Sequence, residues 1–315
     1  MRLDEIANLI KKLESALIFC HINPDGDTLS CAFSLKYAFE IMGKKADVVV
    51  SDGVPRKYAA LGLFNGALEC GVARYDGYIS VDCSIEGQIG EPYKLYAAQK
   101  NTFNIDHHVS NSRYAKYNYV ENVGACSMIL YKLIKLLGTP IDERLANTLM
   151  VGLITDTGNF SHSNTDFEAL KIAAELSGLG ADVAQLNLLL FNSQPKNRAL
   201  LYVEVMRGMK FYHDDRMALI TITKSQLSRY GLTKSDTEGF IDFPMTIGSV
   251  AVAVSVFENA PKSYKISFRS KGVNVNEIAS VFGGGGHVRA SGAMPKGYYE
   301  DVVDKLVFTV GNYLD

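Results

Sequence analysis

Ala16-Leu17-Ile18-Phe19-Cys20-His21-Ile22-Asn23-Pro24-Asp25-Gly26-Asp27-Thr28 is the stretch whose reading decides the fold. Ala16 to His21 is a short apolar run that reads as a strand, and Asn-Pro-Asp-Gly is turn chemistry. Thr28 to Met42 then carries a helical pattern closed by Gly43. A strand passing through a polar turn into a helix is the repeating piece of a parallel α/β sheet. Three ligand-type side chains, His21, Asp25 and Asp27, crowd that one turn. Neighbouring carboxylates repel unless a proton or cation compensates, and at neutral pH a divalent metal is the more effective compensator. Taken alone, the segment is still ordinary turn composition.

Working outward, strand-like runs recur at Asp47 to Ser51, Gly77 to Asp82 and Thr102 to Asp106, and a helix spans Ser127 to Leu137 before Gly138. Open sheets of this kind bind ligands beyond the carboxyl ends of their strands. Asp82 ends one run, Asp106-His107-His108 ends the next, and Asp156 closes the apolar helical stretch Leu149 to Ile154. A lone Asp or His at such a place is more often a helix cap or a satisfied core residue than a ligand. Four segments ending this way form a constellation. Imidazoles with carboxylates suit manganese, with magnesium, cobalt or zinc as alternatives.

Composition narrows the class. The 47% hydrophobic and 21% charged content is that of a globular chain, and 315 residues suit two domains at roughly 100 to 200 residues each. Apolar runs such as Val250 to Val254 fall short of the roughly 18 residues a membrane helix requires, and the start, Met1-Arg2-Leu3-Asp4-Glu5, lacks a secretory pattern. The expectation is a cytoplasmic protein with no membrane association. A formal charge of -2 argues against long duplex nucleic acid, whose binding rests on neutralising many phosphates, but not against a short phosphorylated substrate. The cysteines, Cys20, Cys31, Cys70, Cys83 and Cys126, have no disulfide or zinc-ribbon spacing and read as reduced, mostly buried thiols. His162 and His213 lack comparable spacing and read as surface or structural.

Pro195 to Lys210 reads as a linker helix, with Leu200, Leu201, Val205 and Met206 at helical spacing. Beyond it, strands over Met217 to Thr223, Val250 to Phe257 and Tyr264 to Arg269, and helices over Val275 to Phe282 and Tyr298 to Leu314, make an α+β unit. The expected domains are a parallel-sheet α/β domain over 1–190, the linker helix over 191–210 and a smaller α+β domain over 211–315. The glycines Gly283 to Gly286 are by themselves a loop signal. With His287 and Arg289 alongside and Arg269 upstream, their backbone N–H groups are expected to cradle a phosphate.

His-x-Asn-Pro-Asp-Gly-Asp at 21–27, Asp82 after a strand, Asp106-His107-His108-Val109-Ser110-Asn111 and Gly152-Leu153-Ile154-Thr155-Asp156-Thr157-Gly158-Asn159-Phe160 together resemble the DHH phosphoesterases. Phe268-Arg269-Ser270 and Phe282-Gly283-Gly284-Gly285-Gly286-His287 resemble the DHH-associated C-terminal domain, and the likeness covers nearly the whole chain. Within that family the chain is most similar to the NrnA-type bifunctional oligoribonuclease and pAp phosphatase group. The resemblance implies a metal-dependent hydrolase of phosphoric esters, acting on short oligoribonucleotides or pAp, with linear pApA or cyclic di-AMP as the alternative. It implies two manganese ions: His21 and Asp25 on one, Asp27, His107 and Asp156 on the other, and Asp82 between them. It implies that Asp106 orients a ligand imidazole and that His108 faces the scissile phosphate. It also implies that Arg269, Ser270, Gly284, Gly285, Gly286 and His287 meet the nucleotide end, and that the chain is a homodimer. Arg289 stands where related sequences vary. Inorganic pyrophosphatases share the His-x-Asn-Pro-Asp and Asp-His-His segments, and the glycine-rich C-terminal signature argues against that reading. A metal-stabilised nucleotide-binding module without activity predicts a missing ligand position, and none is missing.

Overall fold

The computed structural model describes residues 1–69 and 74–314, which form two compact units, Met1–Ser193 and Gln194–Asp315. Elements of the first are α1 (Leu3–Ile10), β1 (Ser15–Phe19), α2 (Gly26–Ile41), β2 (Lys45–Val49), α3 (Arg56–Ala59), β3 (Gly77–Val81), α4 (Tyr93–Ala97), β4 (Thr102–Asp106), β5 (Tyr117–Val120), α5 (Cys126–Leu137), α6 (Glu143–Asp156), α7 (Phe167–Gly178) and α8 (Val183–Phe191). The sheet is all parallel in the order β2-β1-β3-β4-β5, as the alternating pattern led us to expect. β1 and β3 are adjacent although two connections leave the sheet between them, so the strand order reverses there and a crevice opens at their carboxyl ends. His21 and Asp82 follow those two strands.

Burial explains which residues make these elements. Leu17, Ile18 and Phe19 are fully buried, and so is Ile79, because helices cover both faces of a parallel sheet. Helix α2 is buried nearly all round and packs against α5 and α6. Its start touches the end of α6 so closely that a β-carbon on Gly26 would lie 2.3 Å from Thr155 Oγ1. Gly138 closes α5 in the left-handed conformation (φ 78°). Strand β5 was not anticipated: Tyr117-Asn118-Tyr119-Val120 is half-buried at the sheet edge and carries no apolar run.

The second unit holds α9 (Lys196–Arg207), β6 (Lys210–Tyr212), β7 (Met217–Ile222), α10 (Lys224–Tyr230), α11 (Asp242–Met245), β8 (Val252–Ala260), β9 (Ser263–Ser270), α12 (Val275–Ser280), β10 (Gly285–Gly286), β11 (Ala290–Ala293) and α13 (Tyr299–Gly311). Its mixed sheet runs β10-β11-β9-β8-β7-β6, with only β7 and β8 parallel. Side chains alternate between faces: Leu219 joins Val254, Phe268 and Leu306, whereas Ile220 joins Leu201, Val205 and Phe240. The helix read as a linker therefore contributes core residues to this unit. Cys20, Cys31, Cys83 and Cys126 are buried free thiols, and Cys70 lies outside the described residues. No helix among the described residues is long and apolar enough to cross a membrane.

Candidate metal centre

Each ligand-type side chain is positioned by an element end. Asp25 caps α2, its Oδ1 accepting from the backbone N–H groups of Asp27 (3.0 Å) and Thr28 (3.1 Å). Asp27 sits at the amino terminus of α5, where Oδ2 accepts from the Cys126 N–H at 2.5 Å and Oδ1 from the Ser127 N–H at 3.0 Å. Asp82 adopts φ 56°, a left-handed conformation that Asp tolerates better than most residues and that ends β3 abruptly. Asp156 is the last residue of α6.

Three groups of ligand atoms lie within 4.8 Å of one another: His21, Asp25 and Asp82; Asp27, His107 and Asp156; and Asp82, His107 and His108. Asp82 Oδ2 is 3.7 Å from His21 Nε2, and its Oδ1 is 3.5 Å from His107 Nε2. The ring orientations are fixed from behind. The Nδ1–H of His21 donates to the Ile22 carbonyl at 2.8 Å and that of His107 to the Val123 carbonyl at 2.9 Å, turning both Nε2 atoms to the carboxylates. Asp106 was expected to orient a ligand imidazole; the ring it meets is that of His108, not those of His21 or His107. Asp106 Oδ1 accepts from His108 Nδ1 at 2.7 Å, because the ring of His107 is turned towards the loop that enters α5.

The electrostatics are those of a crowded anionic pocket. Burial, the Asp27 charge and other nearby carboxylates raise the Asp82 carboxyl well above its usual range. Burial, opposed by His107 but reinforced by Asp25, raises Asp27. Asp156 is pushed up to about 7 by burial and by Asp27. For Asp25 burial also works upward, yet the His21 hydrogen bond and charge outweigh it and hold the group below its ordinary value. The hydrogen bond that His108 donates to Asp106 raises the His108 imidazole against burial. A divalent cation fits this set. Asp82 Oδ1 is buried with no hydrogen-bond partner among the described residues, a costly state that a cation relieves.

Sequence reasoning missed the supports. Beyond the Val123 carbonyl, Gly152 gives Asp27 its room, since a β-carbon there would stand 2.5 Å from Asp27 Oδ1. A glycine inside an apolar helix was the available signal. His162 packs on Gly158, where a β-carbon would lie 2.2 Å from its Nε2, and His213 donates to the Val307 carbonyl at 2.8 Å.

In the second unit the glycine run is a hairpin, which overturns the expected N–H cradle. The N–H groups of Gly283, Gly284 and His287 donate to the carbonyls of Ser280, Ala279 and Ala290, and that of Gly286 to Asn276 Oδ1. Gly285 pairs with Gly292. A β-carbon on Gly284 would stand 2.0 Å from the Gly292 carbonyl, so close strand approach explains that glycine. The Ser270 hydroxyl is spent on the Val273 carbonyl. Arg269, half-exposed, lies beside Asp242, with Nε 3.8 Å from Oδ1, while His287 and Arg289 occupy the hairpin turn.

These features define a hydrolase of phosphoester bonds, and the chain belongs to the DHH family: residues 15–153 match the DHH family N-terminal domain and residues 220–314 match the DHHA1 domain. The chain is similar to the bifunctional oligoribonuclease and PAP phosphatase NrnA of Thermus thermophilus, 31% identical over 313 residues that span 96% of this chain and 92% of the relative. A probable bifunctional oligoribonuclease and PAP phosphatase NrnA of Streptococcus mutans is 26% identical and covers 90% of each chain. Among solved structures, an exopolyphosphatase-related protein from Bacteroides fragilis superposes with a TM-score of 0.91 at 25% identity, covering 99% of this chain and 96% of that one.

Proposed function

We propose that this chain is a manganese-dependent phosphoesterase that hydrolyses short oligoribonucleotides and pAp with two metal ions. The observation that carries the reading is Asp82, whose two oxygens address two separate ligand groups. His21 and Asp25 hold one ion, Asp27, His107 and Asp156 the other, and Asp82 is common to both. The NrnA names of the relatives supply the substrates. The mixed imidazole and carboxylate set favours manganese.

When bound, the ions lower the pKa of water towards neutrality and offset charge that develops at phosphorus. The chain's own groups do the rest. The Ile22 and Val123 carbonyls keep the Nε2 lone pairs of His21 and His107 available. Asp106 favours the charged form of His108, which offers a cation and a proton to the phosphoryl oxygens. Arg269, His287 and Arg289 provide cations and donors for the phosphate or base at the far end of the substrate. A homodimer belongs to the same reading, and sedimentation tests it.

The deciding experiment is a panel of pAp, two- to five-nucleotide RNA, linear pApA, cyclic di-AMP and polyphosphate. Each is assayed with manganese and then with magnesium, cobalt or zinc. Turnover of the first two bears the proposal out; turnover of only pApA or cyclic di-AMP reassigns the substrate. No phosphoester cleavage with any metal rejects the reading.

A further inference from the structure

Behind His108 and Asp106, a chain of side chains to which the reaction above assigns no part runs from the site into the interior of the first unit. Asp106 Oδ1 accepts from His108 Nδ1 at 2.7 Å, and Asp106 Oδ2 accepts from Asn111 Nδ2 at 2.6 Å. The same Asn111 amide donates to Asn104 Oδ1 at 2.8 Å, and Asn111 Oδ1 accepts from the Arg113 N–H at 2.7 Å. Asn104 is fully buried in the middle of β4, between Phe103 and Ile105. Its amide donates to Ser80 Oγ (3.0 Å), the Cys83 carbonyl (3.1 Å) and the Tyr114 hydroxyl (3.1 Å).

The direction of each amide is dictated rather than chosen. An ionised carboxylate only accepts, so Asn111 must turn its NH2 to Asp106. Asn104 must then show Asn111 its oxygen, which sends its own NH2 to the Cys83 carbonyl, another group that only accepts. Reversing either amide would set donor against donor. A polar amide in the centre of a buried strand is costly unless fully paired, and an apolar residue would fill the same place without that demand. The network ends on the one imidazole that the metal groups do not need for a closed ligand set, since His108 shares its group with Asp82 and His107.

We propose that Asn111, held by Asn104, is a positioning residue for His108. It locks the Asp106 carboxylate, which keeps the His108 Nδ1–H engaged and leaves Nε2 as the ring nitrogen for the substrate phosphate. The proposal rests on the phosphoesterase reading for its kinetic arm and stands apart from it in its spectroscopic arm.

Asn111→Ala should lower kcat by about 10- to 100-fold, the scale of one hydrogen bond to a charged group, and leave KM and manganese affinity nearly unchanged. Asn111→Gln, which keeps the amide, should recover part of the loss. In a His108→Ala background, Asn111→Ala should add nothing, because the two act as one unit. Losses that multiply instead would mark a general structural role and overturn the proposal. In the magnesium-loaded protein, the 15N signals of the His108 ring should show a fixed Nδ1–H that Asn111→Ala converts to a mixed ring. An unchanged signal overturns the proposal whatever the activity. If the wild type cleaves no phosphoester, the functional reading fails, and the ring signals still decide whether Asn111 sets His108.

Discussion

The Asp82 carboxylate faces the His107 imidazole without a hydrogen bond: Oδ1 lies 3.5 Å from Nε2 and is buried with no hydrogen-bond partner among the described residues. A carboxylate oxygen held so is destabilising until a cation joins it. The protein therefore concentrates repulsion in the first unit that metal binding converts into cohesion.

Asp82→Asn tests that balance. Asn accepts the left-handed backbone at φ 56° as Asp does, so the change removes charge and little else. In chelator the variant should melt at a higher temperature than the wild type; with manganese the order should reverse. Turnover should fall by about 100-fold or more. Calorimetry with and without metal checks the reversal, and a variant that keeps both its activity and its metal-induced stabilisation removes Asp82 from its shared place.

The metal-free protein should lose stability as pH rises from about 4 to 7. Asp156, pushed up to about 7, keeps its proton in the folded state through a range where the unfolded chain has released it. Asp27 and Asp82 are raised as well, which gives the same sign. Asp25 and Asp106 are lowered, so their contribution is already complete above the ordinary carboxylate range. The urea midpoint in chelator should be lower at pH 7 than at pH 5, and an equal or higher one contradicts the crowded-carboxylate account.

Manganese should restore that loss at neutral pH. An ion that binds only the folded state adds about 2.7 kcal/mol at 100 times its dissociation constant. Titration calorimetry should resolve binding accompanied by proton release, because protonated carboxyls must give up their protons to ligate. Metal uptake without proton release would place the ion elsewhere.

Gly152→Ala should cost about 1 to 3 kcal/mol, since the added β-carbon overlaps Asp27 Oδ1 and the buried Ser127 side chain. Weaker manganese binding should accompany the lower stability. Urea denaturation with a metal titration checks both, and a variant that binds manganese normally shows that Asp27 tolerates displacement.

Arg269→Ala and Arg289→Ala should raise KM by about 10-fold or more while kcat and the manganese-induced rise in melting temperature change little. Steady-state kinetics on pAp and dinucleotide RNA read the effect. A loss confined to kcat would move these residues from binding the substrate's far end to the reaction itself.

The ligand-bearing element ends were legible because each is a local event: an apolar run ends, and a His or Asp follows. Asp82 and Asp156 could be picked out that way. The support of His107 was not legible, because the Val123 carbonyl belongs to backbone 16 residues away and leaves no mark on its own side chain. The glycine run misled for a related reason. Its composition signals free N–H groups, but those of Gly283 and Gly284 go to the carbonyls that end α12, that of Gly286 goes to Asn276 Oδ1, and Gly285 pairs with a strand that Ala290-Ser291-Gly292-Ala293 does not announce.

By itself the sequence determined the alternation of strands and helices, hence the parallel sheet, and the chemistry of the side chains delivered to its carboxyl ends. Period and composition are properties of neighbouring residues, so they survive without a structure. Only the tertiary structure decided which imidazole Asp106 holds, which backbone amides are already spent, and that Asp82 turns one oxygen to His21 and the other to His107. The Asp82 contacts join segments distant in the chain, and even the nearer ones are set by how those segments pack rather than by the residues' order.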